Sequence, residues 1–188
     1  MIAGQYRSRP LRSLPGADIR PTADRLRETL FNVLGAGNPE GLQGSIWADL
    51  YAGTGAVGVE ALSRGAAKVY FVESALKATR LIRENLKSLQ IETGFEVIHG
   101  EVAKTLRSLE AQAVALNYVF VDPPYRREQD YAETLKFLGE SKLLRTPAVV
   151  IAEHGKKFDP GEGVGRLVRY RKLVQGDAAL SFYKKNPE

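Results

Sequence analysis

Residues 48–62 read ADLYAGTGAVGVEAL, and this stretch decides the fold. A strand-like apolar run that contains Asp49 comes first. Three glycines follow in a G-x-G-x-x-G spacing, at Gly53, Gly55 and Gly58, and an apolar helical pattern begins directly after them. Glycines with this spacing between a strand and a helix let the backbone pass close to a ligand. The stretch therefore predicts a strand, a ligand-binding loop and a helix in immediate succession.

On both sides of this stretch, apolar runs of strand length alternate with helical patterns. Strands are predicted at 45–51, 68–73, 95–99, 118–122 and 148–154, and helices at 22–34, 56–64, 75–89, 102–109 and 130–138. This alternation is typical of βαβ units in a mostly parallel sheet. Two further runs, 165–174 and 179–185, flank the turn signal QGDA and predict an antiparallel pair that closes the sheet. We therefore expect an α/β fold with a mostly parallel, seven-stranded sheet flanked by helices.

The length and composition of the chain fit a single domain. Its 188 residues suffice for one hydrophobic core. We expect residues 21–188 to form this core and residues 1–20 to form a small basic arm or hairpin. With no cysteine and two histidines, the sequence predicts no disulfide framework, no cysteine-based zinc site and no metal. The apolar stretches are too short to span a bilayer, so we expect a soluble, cytoplasmic protein, and nothing demands more than a monomer.

The net charge is +5, and basic residues, mostly arginines, cluster near the two ends of the chain and beside one motif. The N-terminal arginines are Arg7, Arg9, Arg12, Arg20, Arg25 and Arg27; Arg126 and Arg127 follow a Pro-Pro pair; Arg166, Arg169, Arg171 and Lys172 lie near the C-terminus. Arginine matches the geometry of phosphate groups. On charge alone, a phosphate-rich partner and an ordinary solvated surface are equally good interpretations.

Glu73 ends the strand after the glycine loop, twenty positions beyond Gly53. An acid at this place typically binds the ribose hydroxyls of a nucleoside cofactor, so the pattern predicts an adenosine site. Nicotinamide and flavin dinucleotides use the same loop and the same acid. Asp49 favours another cofactor, because an acid ahead of the loop disfavours a pyrophosphate and suits the positively charged methionine end of S-adenosylmethionine.

The adenine of such a cofactor is expected beside the end of the third strand. Glu101 is placed there to accept a hydrogen bond from the adenine amine, although an ordinary acid in the first turn of a helix explains it almost as well. The predicted cofactor-binding residues are Asp49, Tyr51, Ala52, Gly53, Thr54, Gly55, Glu73, Ser74, Gly100, Glu101 and Val102.

The stretch 119–125, VFVDPPY, ends the fourth strand with one acid and two prolines. Pro123 and Pro124 have no N–H to donate, so the turn offers acceptors only: the Asp122 carboxylate and backbone carbonyls. Such acceptors hold the exocyclic amine of a nucleobase and turn its lone pair toward a methyl donor. Tyr125 supplies a flat face on which a base stacks. We therefore predict a nitrogen methyltransferase with Asp122, Pro123, Pro124 and Tyr125 as its catalytic residues.

Taken together, these residues resemble the RsmD-type family of bacterial 16S ribosomal RNA guanine-N2 methyltransferases. The resemblance covers nearly the whole chain and rests on RPTADRLRETLFNVL (20–34), DLYAGTGAVGVEALSRGA (49–66), YFVE (70–73) and VFVDPPY (119–125). It implies a Rossmann-like class I fold, S-adenosylmethionine as cofactor, and a guanine held by the Asp-Pro-Pro-Tyr turn.

The same resemblance implies that the basic arm docks on 16S ribosomal RNA in the small subunit or its assembly intermediate. The RNA-binding residues it suggests are Arg7, Arg9, Arg12, Arg20 and Arg126. Two positions depart from the family pattern: Glu101 stands where aspartate is more usual, and QGD (175–177) replaces a tyrosine-glycine pair.

Three other functions stay open at this point. Adenine and glutamine N-methyltransferases share the Asp-Pro-Pro-Tyr turn, so an adenine-N6 methyltransferase that acts on DNA or RNA is the first alternative. A dinucleotide-dependent oxidoreductase shares the glycine loop, although Asp49 and the turn at 122–125 argue against it. A ribosome-assembly factor whose RNA binding matters more than its catalysis is the third.

Overall fold

The computed structural model describes residues 1–13, 21–36, 39–124 and 127–186. The strands are β1 (Ile46–Leu50), β2 (Lys68–Glu73), β3 (Phe95–His99), β4 (Leu116–Val121), β5 (Leu144–Gly155), β6 (Gly163–Val164), β7 (Leu167–Gln175) and β8 (Ala178–Lys185). The helices are α1 (Pro21–Gly35), α2 (Ala56–Ser63), α3 (Leu76–Ser88), α4 (Val102–Ala111) and α5 (Glu128–Glu140), with a 3₁₀ turn at Pro39–Leu42. None of these helices is long and apolar enough to cross a bilayer.

The strands form one sheet in the order β3-β2-β1-β4-β5-β8-β7-β6. The first five are parallel to one another, and β8, β7 and β6 run antiparallel to their neighbours. The predicted Rossmann-like α/β fold is confirmed, with one correction to the strand number. The described sheet has eight strands rather than seven, because β6 pairs with β7 over two residues, too few to leave an alternating pattern.

The predicted elements agree with the structure apart from their ends. The largest shift is at β5, which begins at Leu144, four residues before the predicted start. Leu144 pairs with Leu116 of β4, and the register then shifts before Tyr118 pairs with Val149. The exposed segment 145–147 lies at this irregularity and interrupts the apolar run, so the sequence pattern hides the first part of the strand.

Two apolar layers cover the faces of the sheet. On one face, α1, α2 and α3 pack around Trp47, whose ring stacks at 5.5 Å from Phe31 and 4.6 Å from Tyr118. On the other face, α4 and α5 bury leucines such as Leu106 and Leu135 against the sheet. The helices thereby fix the strands in place. The carboxyl ends of the strands remain uncovered and carry polar side chains at one edge of the sheet.

The N-terminal residues 1–13 contain turns and no strand, so the hairpin alternative finds no support in this part of the arm. The arm is ordered by two fully buried polar side chains. The Glu60 carboxylate accepts the backbone N–H groups of Ile2 and Ala3 at 2.9 and 3.0 Å. The Asn85 amide exchanges two hydrogen bonds with the backbone of Arg12, at 2.8 and 3.1 Å. Residues 14–20 lie outside the described part of the chain.

Candidate active site

The three glycines of the loop after β1 serve different purposes. Gly53 and Gly55 have φ angles of 56° and 77°, in the left-handed region that favours glycine. A Cβ at Gly53 would meet only the Tyr51 carbonyl oxygen, at 4.0 Å, so this position faces open space. A Cβ at Gly58 would overlap the Phe71 ring instead. Gly53 therefore leaves room for a ligand, whereas Gly58 lets α2 pack closely on the sheet.

Glu73 lies beside this loop, as the sequence predicts. Its two carboxylate oxygens accept the backbone N–H groups of Gly53, at 2.9 Å, and Ala75, at 2.7 Å. The carboxylate thus braces the glycine loop against the start of α3. Each oxygen retains a second lone pair, so the same group is still able to accept hydrogen bonds from ribose hydroxyls.

Asp49 is 2% exposed and lines the cleft at the end of β1. Its Oδ2 atom accepts the backbone N–H of Gly58 at 2.9 Å, which places the carboxylate at the positive N-terminal end of α2. Burial nevertheless raises the pKa of Asp49 to about 7. Asp49, which the sequence assigned to ligand binding, therefore also caps the start of α2. Its other oxygen, Oδ1, is available to a positively charged group.

A cleft of about 190 Å³ opens where the carboxyl ends of β1, β4 and β5 meet. It brings together three predicted features: Asp49, the loop residues 51–54 and Asp122. The volume is below the roughly 300–1,000 Å³ of pockets that enclose whole small molecules. Two further lining residues, Arg27 of α1 and Glu153 of β5, were not assigned to the site from the sequence.

Asp49, Asp122 and Glu153 place three carboxyl groups around this cleft. Asp122 keeps access to solvent through the cleft, although protein surrounds its carboxyl group on the other sides. Burial, and then the nearby Glu153 and Asp49, raise the pKa of Asp122 well above its ordinary value. Burial also raises the pKa of Glu153 to about 7. Close acidic groups titrate as a set, so the protonation of each of these three carboxyl groups depends on that of the other two.

Arg27 lies on the same cleft, and its side chain is 11% exposed. Its Nη2 atom donates to Asp24 at 2.9 Å, while its Nε atom is buried without a hydrogen-bond partner among the described residues. From the sequence, Arg27 was expected either to meet a phosphate-rich partner or to be solvated surface charge, and it was not assigned to the cofactor cleft. The available signal was its place on α1 between Leu26 and Leu30, which both line the cleft.

Helix α5 is hydrogen-bonded to β5 and to the start of the loop after β1. The Tyr131 hydroxyl donates to the backbone carbonyl of Glu153 at 2.6 Å, and the Thr134 hydroxyl lies 3.1 Å from that of Tyr51. In the turn itself, Pro123 is buried and Pro124 is exposed. The predicted catalytic Tyr125 lies outside the described residues.

The predicted adenine site lies along the same sheet edge but outside the cleft. The Gly100 N–H donates to the Glu73 carbonyl at 3.0 Å, which ties the end of β3 to that of β2. Glu101 is exposed and forms an ion pair with Lys104 at 3.0 Å, while Val102 is buried at the start of α4. Ser74 is exposed at the end of β2.

The predicted RNA-binding arginines differ in how free they are. Arg7 is exposed, and Arg12 forms an exposed ion pair with Glu84 at 3.7 Å. Arg9 donates to the Ser88 carbonyl at 2.8 Å and so caps the C-terminal end of α3. Arg20 and Arg126, also predicted to bind RNA, lie outside the described residues.

The sheet order, the glycine loop, Glu73 beside that loop and the turn of Asp122, Pro123 and Pro124 occur together in this chain. They define an S-adenosylmethionine-dependent methyltransferase with a Rossmann-like class I fold. The family model described as "Conserved hypothetical protein 95" matches residues 1–184. The chain therefore belongs to this family, the RsmD-type methyltransferases.

Individual relatives agree with this assignment. The chain is 32% identical over 185 residues to the "Putative rRNA methyltransferase YlbH" of Bacillus subtilis, and the match covers 98% of both chains. It is 30% identical to the "Ribosomal RNA small subunit methyltransferase D" of Escherichia coli, over 100% of this chain and 90% of the relative. The solved structure "Putative methyltransferase yhhF" from Escherichia coli gives a TM-score of 0.79 at 31% identity, over 100% of this chain and 98% of the other.

Proposed function

We propose that this protein transfers a methyl group from S-adenosylmethionine to the exocyclic N2 amine of a guanine in 16S ribosomal RNA of the small subunit. The observation that carries the proposal is the turn after β4, which presents Asp122 to a cleft shared with the glycine loop. Two relatives named as ribosomal RNA methyltransferases support the class of substrate.

The residues of the cleft fit S-adenosylmethionine, which supplies the methyl group as part of a sulfonium cation. Asp49 offers a carboxylate oxygen to its ammonium group. The unpartnered Arg27 Nε suits the carboxylate of its methionine portion, because a buried guanidinium donor gains most from a charged acceptor. Glu73 and the open position at Gly53 suit the ribose.

The chain contributes to the reaction mainly by positioning. Asp122 accepts an N–H of the guanine amine and orients the nitrogen lone pair toward the methyl carbon, and backbone carbonyls of the turn are the further acceptors. As the N–C bond forms, the C–S bond breaks, sulfur keeps the electron pair, and the nitrogen gives up one proton. When Asp122 is ionised, its carboxylate accepts that proton, and its raised pKa makes it a stronger base than an ordinary aspartate. Proximity of this kind supplies roughly 7–11 kcal/mol of a barrier.

The N-terminal arm is proposed to contact the phosphate backbone of the RNA. Arg7 is exposed, and the Arg12 guanidinium has only a weak, exposed ion pair, so both are available to phosphates. The buried bonds from Glu60 and Asn85 hold the arm in place, so little ordering of residues 1–13 is needed on binding.

The test is transfer of labelled methyl from S-adenosylmethionine to small ribosomal subunits that lack their native methylations, followed by nucleoside analysis. The expected product is N2-methylguanosine. N6-methyladenosine would keep the chemistry and refute the base. Cofactor binding without label in any nucleoside would refute RNA methylation, and a dinucleotide found in the purified protein would refute the cofactor.

A further inference from the structure

Glu153 lies next to the proposed catalytic turn in the neighbouring strand. In the parallel pair of β4 and β5, Val121 is in register with Ala152, so Asp122 and Glu153 occupy the next position on each strand. Both side chains line the same cleft. The two carboxyl groups are therefore neighbours at the point where the target base is proposed to bind.

The backbone of Glu153 is firmly held, whereas its carboxyl group has no hydrogen-bond or ion-pair partner among the described residues. The backbone is paired with Leu180 of β8, and its carbonyl accepts the Tyr131 hydroxyl. Within the described part of the chain, the Glu153 carboxylate makes no hydrogen bond and no ion pair. The Glu153 side chain is half-buried, so its carboxylate remains open to a ligand that donates to it.

A second, independent observation marks the cleft as a ligand site. The Arg27 Nε atom, a donor, is also buried there without a partner among the described residues. The cleft thus holds a hydrogen-bond donor and hydrogen-bond acceptors that lack partners among the described residues. The acceptors lie on the side of β4 and β5. Packing alone explains neither group, because a structural carboxylate and a structural guanidinium normally find partners in the protein.

The edges of the purine bases differ in the groups that would face two acceptors. Guanine presents two adjacent donors, the N1–H and the N2 amine. Adenine presents one amine next to the N1 atom, which is an acceptor. Two neighbouring carboxylates that are both ionised match the first pattern and set two lone pairs against each other in the second. A Glu153 that carries a proton would instead donate it to adenine N1, so the preference for guanine requires the ionised form of Glu153.

We infer that Glu153 is a specificity-determining residue that accepts the guanine N1–H while Asp122 accepts the N2 amine. This inference rests on the proposed guanine-N2 function and adds a residue to its site. It assigns the choice of guanine over adenine to the register of β4 and β5. The N1–H bond also places electron density on the ring next to the amine, which favours attack by N2.

The test compares guanine with 2-aminopurine at the position that the protein methylates, in small subunits reconstituted from ligated RNA. 2-Aminopurine keeps the reacting amine and has an acceptor at N1. For the native chain, kcat/KM on 2-aminopurine is expected to be lower than on guanine by roughly 10- to 100-fold. In Glu153→Gln the amide rotates to offer either an oxygen or an N–H, so this ratio is expected to fall toward one.

The matched control is Glu92→Gln, which removes one negative charge from an exposed position beyond α3 and is expected to leave the ratio unchanged. Thermal melting of each variant separates misfolding from altered recognition. A ratio in Glu153→Gln equal to that of the native chain would overturn the inference while leaving guanine methylation intact. Failure of the native chain to methylate guanine at all would instead refute the proposed function.

Discussion

Replacing Asp49 by asparagine is expected to stabilise the protein and to weaken cofactor binding. Burial is the main cause that raises the pKa of Asp49 from 3.8 to about 7, and the negative charges of Glu73 and Glu153 act in the same direction. An acid whose folded pKa exceeds its unfolded value holds its proton more tightly in the folded state. Ionisation of Asp49 therefore lowers stability as the pH rises through the interval between those two values.

The magnitude follows from the shift. One pKa unit is worth about 1.4 kcal/mol. A shift of roughly three units therefore lowers the free energy of unfolding by about 4 kcal/mol at pH 8 and by about 2 kcal/mol at pH 5. Asparagine keeps an oxygen that accepts the Gly58 N–H and carries no charge. Without ligand, Asp49→Asn is therefore expected to be more stable than the native chain, by about 4 kcal/mol at pH 8.

Urea denaturation at pH 5 and pH 8 measures both differences. Asp177→Asn is the matched control, because Asp177 is exposed and paired with Lys156, and a change below about 1 kcal/mol is expected there. Equal or lower stability of Asp49→Asn at both pH values would refute the reasoning, since it would mean that the carboxylate is adequately solvated in the fold.

Calorimetry with S-adenosylmethionine measures the functional side of the same substitution. Losing the carboxylate opposite an ammonium group is expected to weaken binding by roughly tenfold or more. For the native chain, affinity is expected to rise with pH through about 7 as Asp49 ionises, with Glu73, Asp122, Glu153 and Arg27 as the other charged groups nearby. Undiminished affinity of Asp49→Asn would remove Asp49 from the cofactor site.

Three further outcomes are expected. Asp122→Ala abolishes methyl transfer but keeps S-adenosylmethionine affinity within a few-fold, and calorimetric loss of binding would move Asp122 into the cofactor site. Arg7→Ala lowers the slope of log affinity for RNA against log salt concentration by about one. Arg9→Ala lowers this slope too, and it also lowers the melting temperature because Arg9 caps α3. An unchanged slope in both variants would show that the arm does not contact phosphates. Gly58→Ala destabilises the protein without ligand by roughly 1–3 kcal/mol through overlap with Phe71, and denaturation that shows no loss would contradict this packing role.

Much of the cofactor side could be predicted because its signals are local. The glycine spacing and the acid at the end of the next strand are features of one βαβ unit, and the structure places Glu73 against Gly53 as that pattern requires. The order of strands and helices follows from apolar periodicity in the same way. The hydrogen bond that Asp49 accepts from Gly58, at the start of α2, spans nine residues and was not anticipated from the pattern.

The remaining features depend on contacts between distant parts of the chain. Asn85 reads as one more position in the buried stripe of α3, yet its amide also donates to the Thr54 carbonyl of the glycine loop at 3.0 Å and so links that loop to the N-terminal arm. Glu60 reads as a helical surface acid and is fully buried under the arm. A polar residue at a buried position is explained only by the partner that satisfies it, and here that partner is more than thirty residues away.

The sequence by itself determined the class of fold, the position of the loop that meets the cofactor and the acidic Pro-Pro turn, because each depends on residues close together in the chain. The tertiary structure decided which side chains share the cleft. Glu153 neighbours Asp122 only because β5 pairs with β4 after a shift in register, and Arg27 reaches the cleft only because α1 packs beside the glycine loop. Register and helix packing are set by the whole core, so no short stretch of sequence specifies them.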